Sequence, residues 1–186
     1  MTKILKTTTL VLSAIFFHLL FTLSITQDTT AQEDTISPQT GGKPEVSVEV
    51  TGTTGTDKIK GGDGDDEIEG LEGDDTLDGG KGNDQLYGDE GNDLLKGNSG
   101  DDELYGQEGN DYLKGYQGND KLSGDGGDDT LEGGAGVDEL EGGPGADVFI
   151  CDSEDIFIDF NLQENDTLSV SCKSARLLTY PTNSIS

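Results

Sequence analysis

The sequence is short of the residues on which most enzyme chemistry depends: its 186 positions include one histidine, two cysteines, one methionine and no tryptophan. The histidine, His18, lies in an apolar N-terminal run. The rest of the chain therefore has no means of building a His-based zinc site, a Ser-His-Asp triad or a Cys-His pair. Positive charge is also scarce, with 11 Lys and Arg against 39 Asp and Glu and a formal net charge of -28. That balance argues against nucleic acid or an anionic membrane surface as partner, and its self-repulsion opposes compaction unless cations neutralise it. Apolar residues make up only 30 % of the chain, which is low for a conventional core in a domain of this size.

The longest apolar run, Leu10 to Ile25, is interrupted only by Ser13, His18, Thr22 and Ser24 and follows Lys3 and Lys6. Positive residues ahead of a short apolar run mark residues 1–26 as a secretory signal, with cleavage between 26 and 31. An uncleaved anchor is the alternative, the run falling short of the roughly 20 residues that span a bilayer. Cleavage would leave the mature chain without a transmembrane span, secreted or held at the cell surface. Residues 27–44, rich in Thr, Gln, Asp and Glu with Pro38, Gly41, Gly42 and Pro44, bury nothing and are expected to be a disordered linker. Val46, Val48 and Val50 alternate with polar residues, which predicts a capping strand over 45–51. The two cysteines, Cys151 and Cys172, allow one pairing. In an exported chain it would close a loop of about 20 residues and contribute roughly 3 kcal/mol; in a reducing compartment both would be free thiols.

Glycine is abundant, at 29 residues, and it is ordered. From Gly52 the sequence repeats every nine residues in eleven units, ending at Ile150. Position one and position four are always Gly, position six is always Asp, and position eight is apolar throughout: Ile59, Ile68, the leucines from Leu77 to Leu140, then Phe149. A fixed period of this kind signals stacked structure. Positions seven and nine are mostly polar, so each unit reads as a six-residue turn followed by a three-residue strand with one buried side chain.

Units such as Gly61-Gly62-Asp63-Gly64-Asp65-Asp66-Glu67-Ile68-Glu69 and Gly79-Gly80-Lys81-Gly82-Asn83-Asp84-Gln85-Leu86-Tyr87 carry the pattern G-G-x-G-x-D-x-U-x, and the region resembles the repeats-in-toxin (RTX) family of calcium-binding nonapeptides. Position two departs from it, being Gly only in the units that start at 61, 79, 133 and 142. The resemblance implies an all-β fold: a parallel β-roll over 52–150, stapled by calcium, closed by a short β cap over 151–172, with 173–186 as a frayed tail. In the family's roll, unit n stacks on unit n+2 and an ion lies between two stacked turns. That places Asp57, Asp75, Asp93, Asp111, Asp129 and Asp147 along one edge and Asp66, Asp84, Asp102, Asp120 and Asp138 along the other, with about nine calcium sites.

Calcium takes oxygens from carboxylates and carbonyls alike. The position-six aspartates supply the first. Glycines at positions one and four, here Gly61, Gly64, Gly79, Gly82, Gly97, Gly100, Gly115, Gly118, Gly133 and Gly136, are expected to adopt backbone angles closed to other residues and to turn their carbonyls inward. Position five, usually Asp or Asn, reads as conformational, tolerating left-handed backbone. The repeat region holds 19 Asp, 9 Glu and 6 Lys, an excess of negative charge that nine divalent ions would nearly offset.

No catalytic role is expected, since calcium accounts for every regularly placed carboxylate. The reading is of an extracellular calcium-binding protein that folds on calcium binding, with a structural, adhesive or calcium-buffering role. The alternative is a module recognising a glycan or a cell-surface polymer in a calcium-dependent way. Tyr87, Tyr105, Tyr112 and Tyr116 invite that alternative, although they occupy repeat positions nine, nine, seven and two and need not share a face. Asn165-Asp166-Thr167 matches a glycosylation sequon.

Overall fold

The structure, a computed structural model, describes residues 23–26, 34–36, 47–152, 154–169, 172 and 176–177. In chain order its strands are β1 (Leu23–Thr26), β2 (Asp34–Ile36), β3 (Val48–Thr51), β4 (Asp57–Asp63), β5 (Glu67–Glu72), β6 (Thr76–Lys81), β7 (Gln85–Glu90), β8 (Leu94–Ser99), β9 (Glu103–Glu108), β10 (Tyr112–Gln117), β11 (Lys121–Gly126), β12 (Thr130–Ala135), β13 (Glu139–Glu141), β14 (Val148–Ile150), β15 (Ile156–Phe157), β16 (Thr167–Leu168) and β17 (Arg176–Leu177). Among the described residues the odd-numbered strands form one parallel sheet of nine, and the even-numbered strands a second of eight. Among the described residues no helix is long and apolar enough to cross a membrane.

The nine-residue period explains this topology. Each unit contributes one strand and then turns, so the next strand lies in the opposite sheet and the one after that returns alongside the first. Thr76–Lys81 accordingly pairs with Leu94–Ser99, Leu77 opposite Leu95, and hydrogen bonds between coils recur at a separation of 18 residues. The fold is a parallel β-roll. Position eight points inward on every strand, so Ile59, Leu77, Leu95, Leu113 and Leu131 of one sheet meet Ile68, Leu86, Leu104, Leu122 and Leu140 of the other in a single thin core. Each fully buried Leu contributes roughly 1.5–3 kcal/mol.

The strands are longer than the sequence suggests. β5 runs through Gly70, Leu71 and Glu72, and Leu71 and Glu72 still pair with Asp89 and Glu90, so the turn shrinks to positions four to six. Position two makes this possible by taking a left-handed backbone within the pairing: φ is 81° at Leu71, 73° at Asp89, 80° at Asn98, 75° at Gln107, 80° at Tyr116 and 65° at Asp125. The position-one glycines show no positive φ, contrary to expectation, whereas position four from Gly64 to Gly136 spans 118° at Gly82 to 146° at Gly136. Position five is also corrected, since no residue there has a positive φ. Its side chain instead links coils: Asn83 N–H donates to Asp65 Oδ1 (2.7 Å), Asp101 N–H to Asn83 Oδ1 (2.9 Å) and Asn119 N–H to Asp101 Oδ1 (2.7 Å).

Both ends extend further than the repeat. β1 lies within the run read as an export signal and pairs with β3, while β2 lies within the stretch read as a linker and pairs with β4. Backbone pairing of this kind needs no apolar side chain. At the other end β17 pairs with β15, so Arg176–Leu177 belongs to a sheet although it falls in the segment read as a frayed tail. The cap is closed by aromatic contacts: Phe149 meets Phe157 and Phe160 edge-on at 5.3 and 6.0 Å between ring centroids. Leu168, also within the cap, is 37 % exposed. Cys151 and Cys172 form a disulfide that ties this cap together, with both residues buried.

Candidate metal centre

Every position-six aspartate is buried, Asp57 through Asp147 being at most 3 % exposed. They form two rows, one at each edge of the roll, in the membership that the stacking rule implies. In each row the backbone N–H of one aspartate donates to Oδ1 of the aspartate a coil later: Asp66 to Asp84 (2.8 Å), Asp84 to Asp102 (2.8 Å) and Asp102 to Asp120 (2.9 Å) on one edge; Asp57 to Asp75, Asp75 to Asp93 and Asp93 to Asp111 (2.7 Å each) on the other. One carboxylate oxygen is thereby engaged. The other is not: Oδ2 of the ten aspartates from Asp66 to Asp147 and Oδ1 of Asp57 are buried without a hydrogen-bond partner among the described residues. An ionised carboxylate accepts and cannot donate, so each such oxygen calls for a donor or a cation.

The surroundings provide more acceptors. A Cβ placed on Gly61 would overlap Asp66 Oδ2 and stand 2.6 Å from the carbonyl oxygen of Gly79 in the next coil. The same holds at Gly115, where Asp120 Oδ2 and the Gly133 carbonyl, also at 2.6 Å, face one point. Position one is therefore glycine for space: its absent side chain leaves a cradle occupied by the free carboxylate oxygen. At position four a Cβ on Gly82, Gly100, Gly118 or Gly136 would overlap the carbonyl oxygen of the matching glycine one coil earlier, and the N–H groups of Gly64, Gly82, Gly100 and Gly118 donate to the coil that follows. Gly97 and Gly133 repeat the position-one contact with Asp102 and Asp138, and Gly79 with Asp84. Among the described residues no three Asp, Glu, His or Cys converge on one point, so an ion in these turns must draw most of its oxygens from the backbone. This suits a hard cation such as calcium, which accepts carbonyl ligands readily.

Burial pushes the carboxyls of Asp84, Asp93, Asp129 and Asp138 up to about 7 and those of Asp66, Asp75, Asp102, Asp111, Asp120 and Asp147 up to about 6, with the backbone hydrogen bond to Oδ1 opposing the rise. The folded, ion-free chain therefore holds more protons than the unfolded chain between about pH 4 and pH 7, and folding without calcium is favoured at the acid end and lost as pH rises through 6 to 7. In EDTA, the β-signal in circular dichroism is expected to strengthen on acidification from pH 7 to pH 4. A calcium-free signal that stays flat across that range would contradict this.

Two carboxylates that continue the rows escaped the period. Asp155 Oδ1 accepts from Asp138 N–H (3.3 Å), 17 residues away, and Asp166 Oδ1 accepts from Asp147 N–H (3.1 Å), 19 residues away. Both differ from the interior aspartates in using the second oxygen too: Asp155 Oδ2 accepts from Asp152 N–H (2.8 Å) and Asp166 Oδ2 from Asn161 N–H (2.6 Å). They end the rows with satisfied carboxylates. The off-period spacing hid them, and an Asp near the extrapolated position was the one available signal. At the opposite end Asp57 Oδ2 accepts from Thr53 N–H (2.6 Å) and Oγ1 (2.9 Å), a contact within its own unit.

The family model described as the RTX calcium-binding nonapeptide repeat (4 copies) matches residues 51–86, 87–122 and 114–149, more than half of the 186 residues. No curated protein matches the chain.

Proposed function

Since the chain belongs to the family of RTX calcium-binding nonapeptide repeats, whose repeats bind Ca2+, we propose that it acts outside the cytoplasm as a structural module that calcium folds. In this reading the aspartates from Asp57 to Asp147 at position six supply one oxygen each, and the turn glycines supply carbonyls, to about nine ions held between stacked turns. The observation that carries it is the set of buried carboxylate oxygens left without a donor in both rows. Burying an ionised carboxylate unpaired is costly, and a bound cation removes the cost. The segment with Lys3, Lys6 and Leu10 to Ile25 supports export.

Asp102→Asn tests the assignment of ligands. The amide keeps an oxygen to accept from Asp84 N–H and nearly the same shape, but removes the charge. The calcium midpoint of folding is expected to rise roughly threefold or more, because ligand charge tunes such sites. Asp57→Asn should shift it less, since Asp57 begins its row and its engaged oxygen accepts from Thr53 of its own unit instead of from an earlier coil. Equal, negligible shifts in calorimetric titration would assign the aspartates to packing alone.

A further inference from the structure

The two outer faces of the roll differ. On the odd-numbered sheet the position-nine side chains of paired strands are Glu69, Tyr87, Tyr105 and Ser123, and the position-three residues are Glu72, Glu90, Glu108 and Gly126. Tyr87 and Tyr105 stack with ring centroids 5.2 Å apart and planes 7° from parallel. Two of the sequence's four candidate tyrosines therefore share a face, while Tyr112 and Tyr116 lie on β10 in the other sheet. Beside the stacked pair lies an open cavity of about 350 Å³ lined by Tyr87, Tyr105, Gln107, Glu108, Asp125 and Gly126. A second, of about 360 Å³, continues along the same face over Leu71, Glu72, Asp89 and Glu90 and shares Gln107 and Glu108 with the first.

Gly126 is the informative residue. The preceding coils carry glutamate at its position (Glu72, Glu90 and Glu108) and the following coil carries Pro144, its φ is not left-handed, and a Cβ there would make only ordinary contacts, the nearest at 3.6 Å. The roll does not require glycine at this place, unlike positions one and four. Its effect is to leave space at the end of the groove next to Tyr105.

We propose that this groove on the nine-stranded sheet binds a non-anionic oligosaccharide lying across the strands, one sugar packed against the Tyr87–Tyr105 wall and its hydroxyl or amino groups donating to Glu108, Asp125 and the Gln107 side-chain oxygen. An aromatic wall takes the apolar face of a pyranose, and ionised carboxylates accept from hydroxyl and ammonium donors but repel acidic sugars. The carboxylates Glu72, Glu90 and Glu108 stand in register on adjacent strands, an arrangement that is destabilising by itself and is relieved by donors lying over it. Amino sugars therefore bind more tightly than neutral ones.

This deepens the reading of a calcium-folded module and rests on it. The test uses the full chain in calcium, with a glucosamine hexamer, cellohexaose and an oligogalacturonate as probes in calorimetric titration, and circular dichroism as a separate report of folding. The glucosamine hexamer should bind, cellohexaose more weakly, and the oligogalacturonate not at all. Gly126→Gln, which fills the space without adding charge, and Tyr105→Ser should each lower affinity at least tenfold with the calcium midpoint of folding unchanged. A folded chain that ignores both non-acidic sugars, binds the acidic one equally, or binds unchanged after Gly126→Gln overturns the groove while leaving calcium folding intact. Capture of a lysine-rich peptide in preference to the sugars would also overturn it, assigning the face to a basic protein.

Discussion

In excess EDTA at neutral pH the chain is expected to lose its β-signal in circular dichroism and to recover it when calcium is returned. Each unit buries one apolar side chain, and beside it a carboxylate with one oxygen that has no hydrogen-bond partner among the described residues. Hydrogen bonds between coils hold the other oxygen, but they also fix the two rows of aspartates at adjacent strand spacing, where like charges repel. Without a cation the stacked state brings these carboxylates together and out of water; the unfolded chain leaves them apart and hydrated. Calcium therefore decides the sign of the folding free energy. The titration should be steep, because the turn ordered by one ion is a wall of the next site. Magnesium should substitute poorly, since it demands small octahedral geometry and gives up water reluctantly. Retention of the β-signal in EDTA at neutral pH would refute the mechanism.

Gly109→Ala should be the most damaging single methyl in the roll. Its φ is 141°, and a Cβ there would overlap the carbonyl oxygen of Gly91 in the preceding coil and lie 2.6 Å from its carbon. A left-handed backbone alone costs a residue with a side chain roughly 1–2 kcal/mol, and φ near 140° is further out than the 65° to 81° at which Leu71, Tyr116 and Asp125 sit. The overlap adds to this by forcing apart two coils joined by the bond from Gly91 N–H to Glu108 O (2.9 Å). The folding equilibrium constant at fixed calcium is expected to fall by about tenfold or more, 1.4 kcal/mol being one decade, with the calcium midpoint rising by a smaller factor because several ions share the change. Gly126→Ala is the control and should stay within about twofold, as its Cβ meets nothing closer than 3.6 Å. If the two substitutions act alike, the close approach of coils at position four is not limiting.

The sequence carried the architecture openly because one residue type dominates positions one, four, six and eight of the repeat. Leu at position eight needs only apolarity and a period to be recognised as core, and Asp at position six needs only its invariance. The backbone was less legible. Leu71 and Tyr116 are residue types that disfavour positive φ, and nothing in their chemistry marks them as left-handed; the stacking of coils imposes it on position two. Conversely Asp65, Asn83 and Asp101 have the composition of left-handed residues but take ordinary backbone and use their carbonyl or carboxylate oxygens to bridge coils. The groove residues were hidden for a related reason: Tyr87 and Tyr105 are 18 residues apart, and that they touch follows from the length of a coil. In the cap the period itself slips to 17 and 19, so Asp155 and Asp166 fell outside the pattern that identified the rest.

A coil two units long gives the chain a parity. Tandem duplication of a single unit would carry every later strand to the opposite sheet, so that duplication of the unit that carries β8 would place Tyr87 and Tyr105 in different sheets and break their stack. Duplication of two units would preserve all of these relations and merely lengthen the roll. Inheritance of length in this architecture should therefore proceed in steps of 18 residues wherever the faces matter, with odd steps tolerated only by sequences whose two sides are interchangeable.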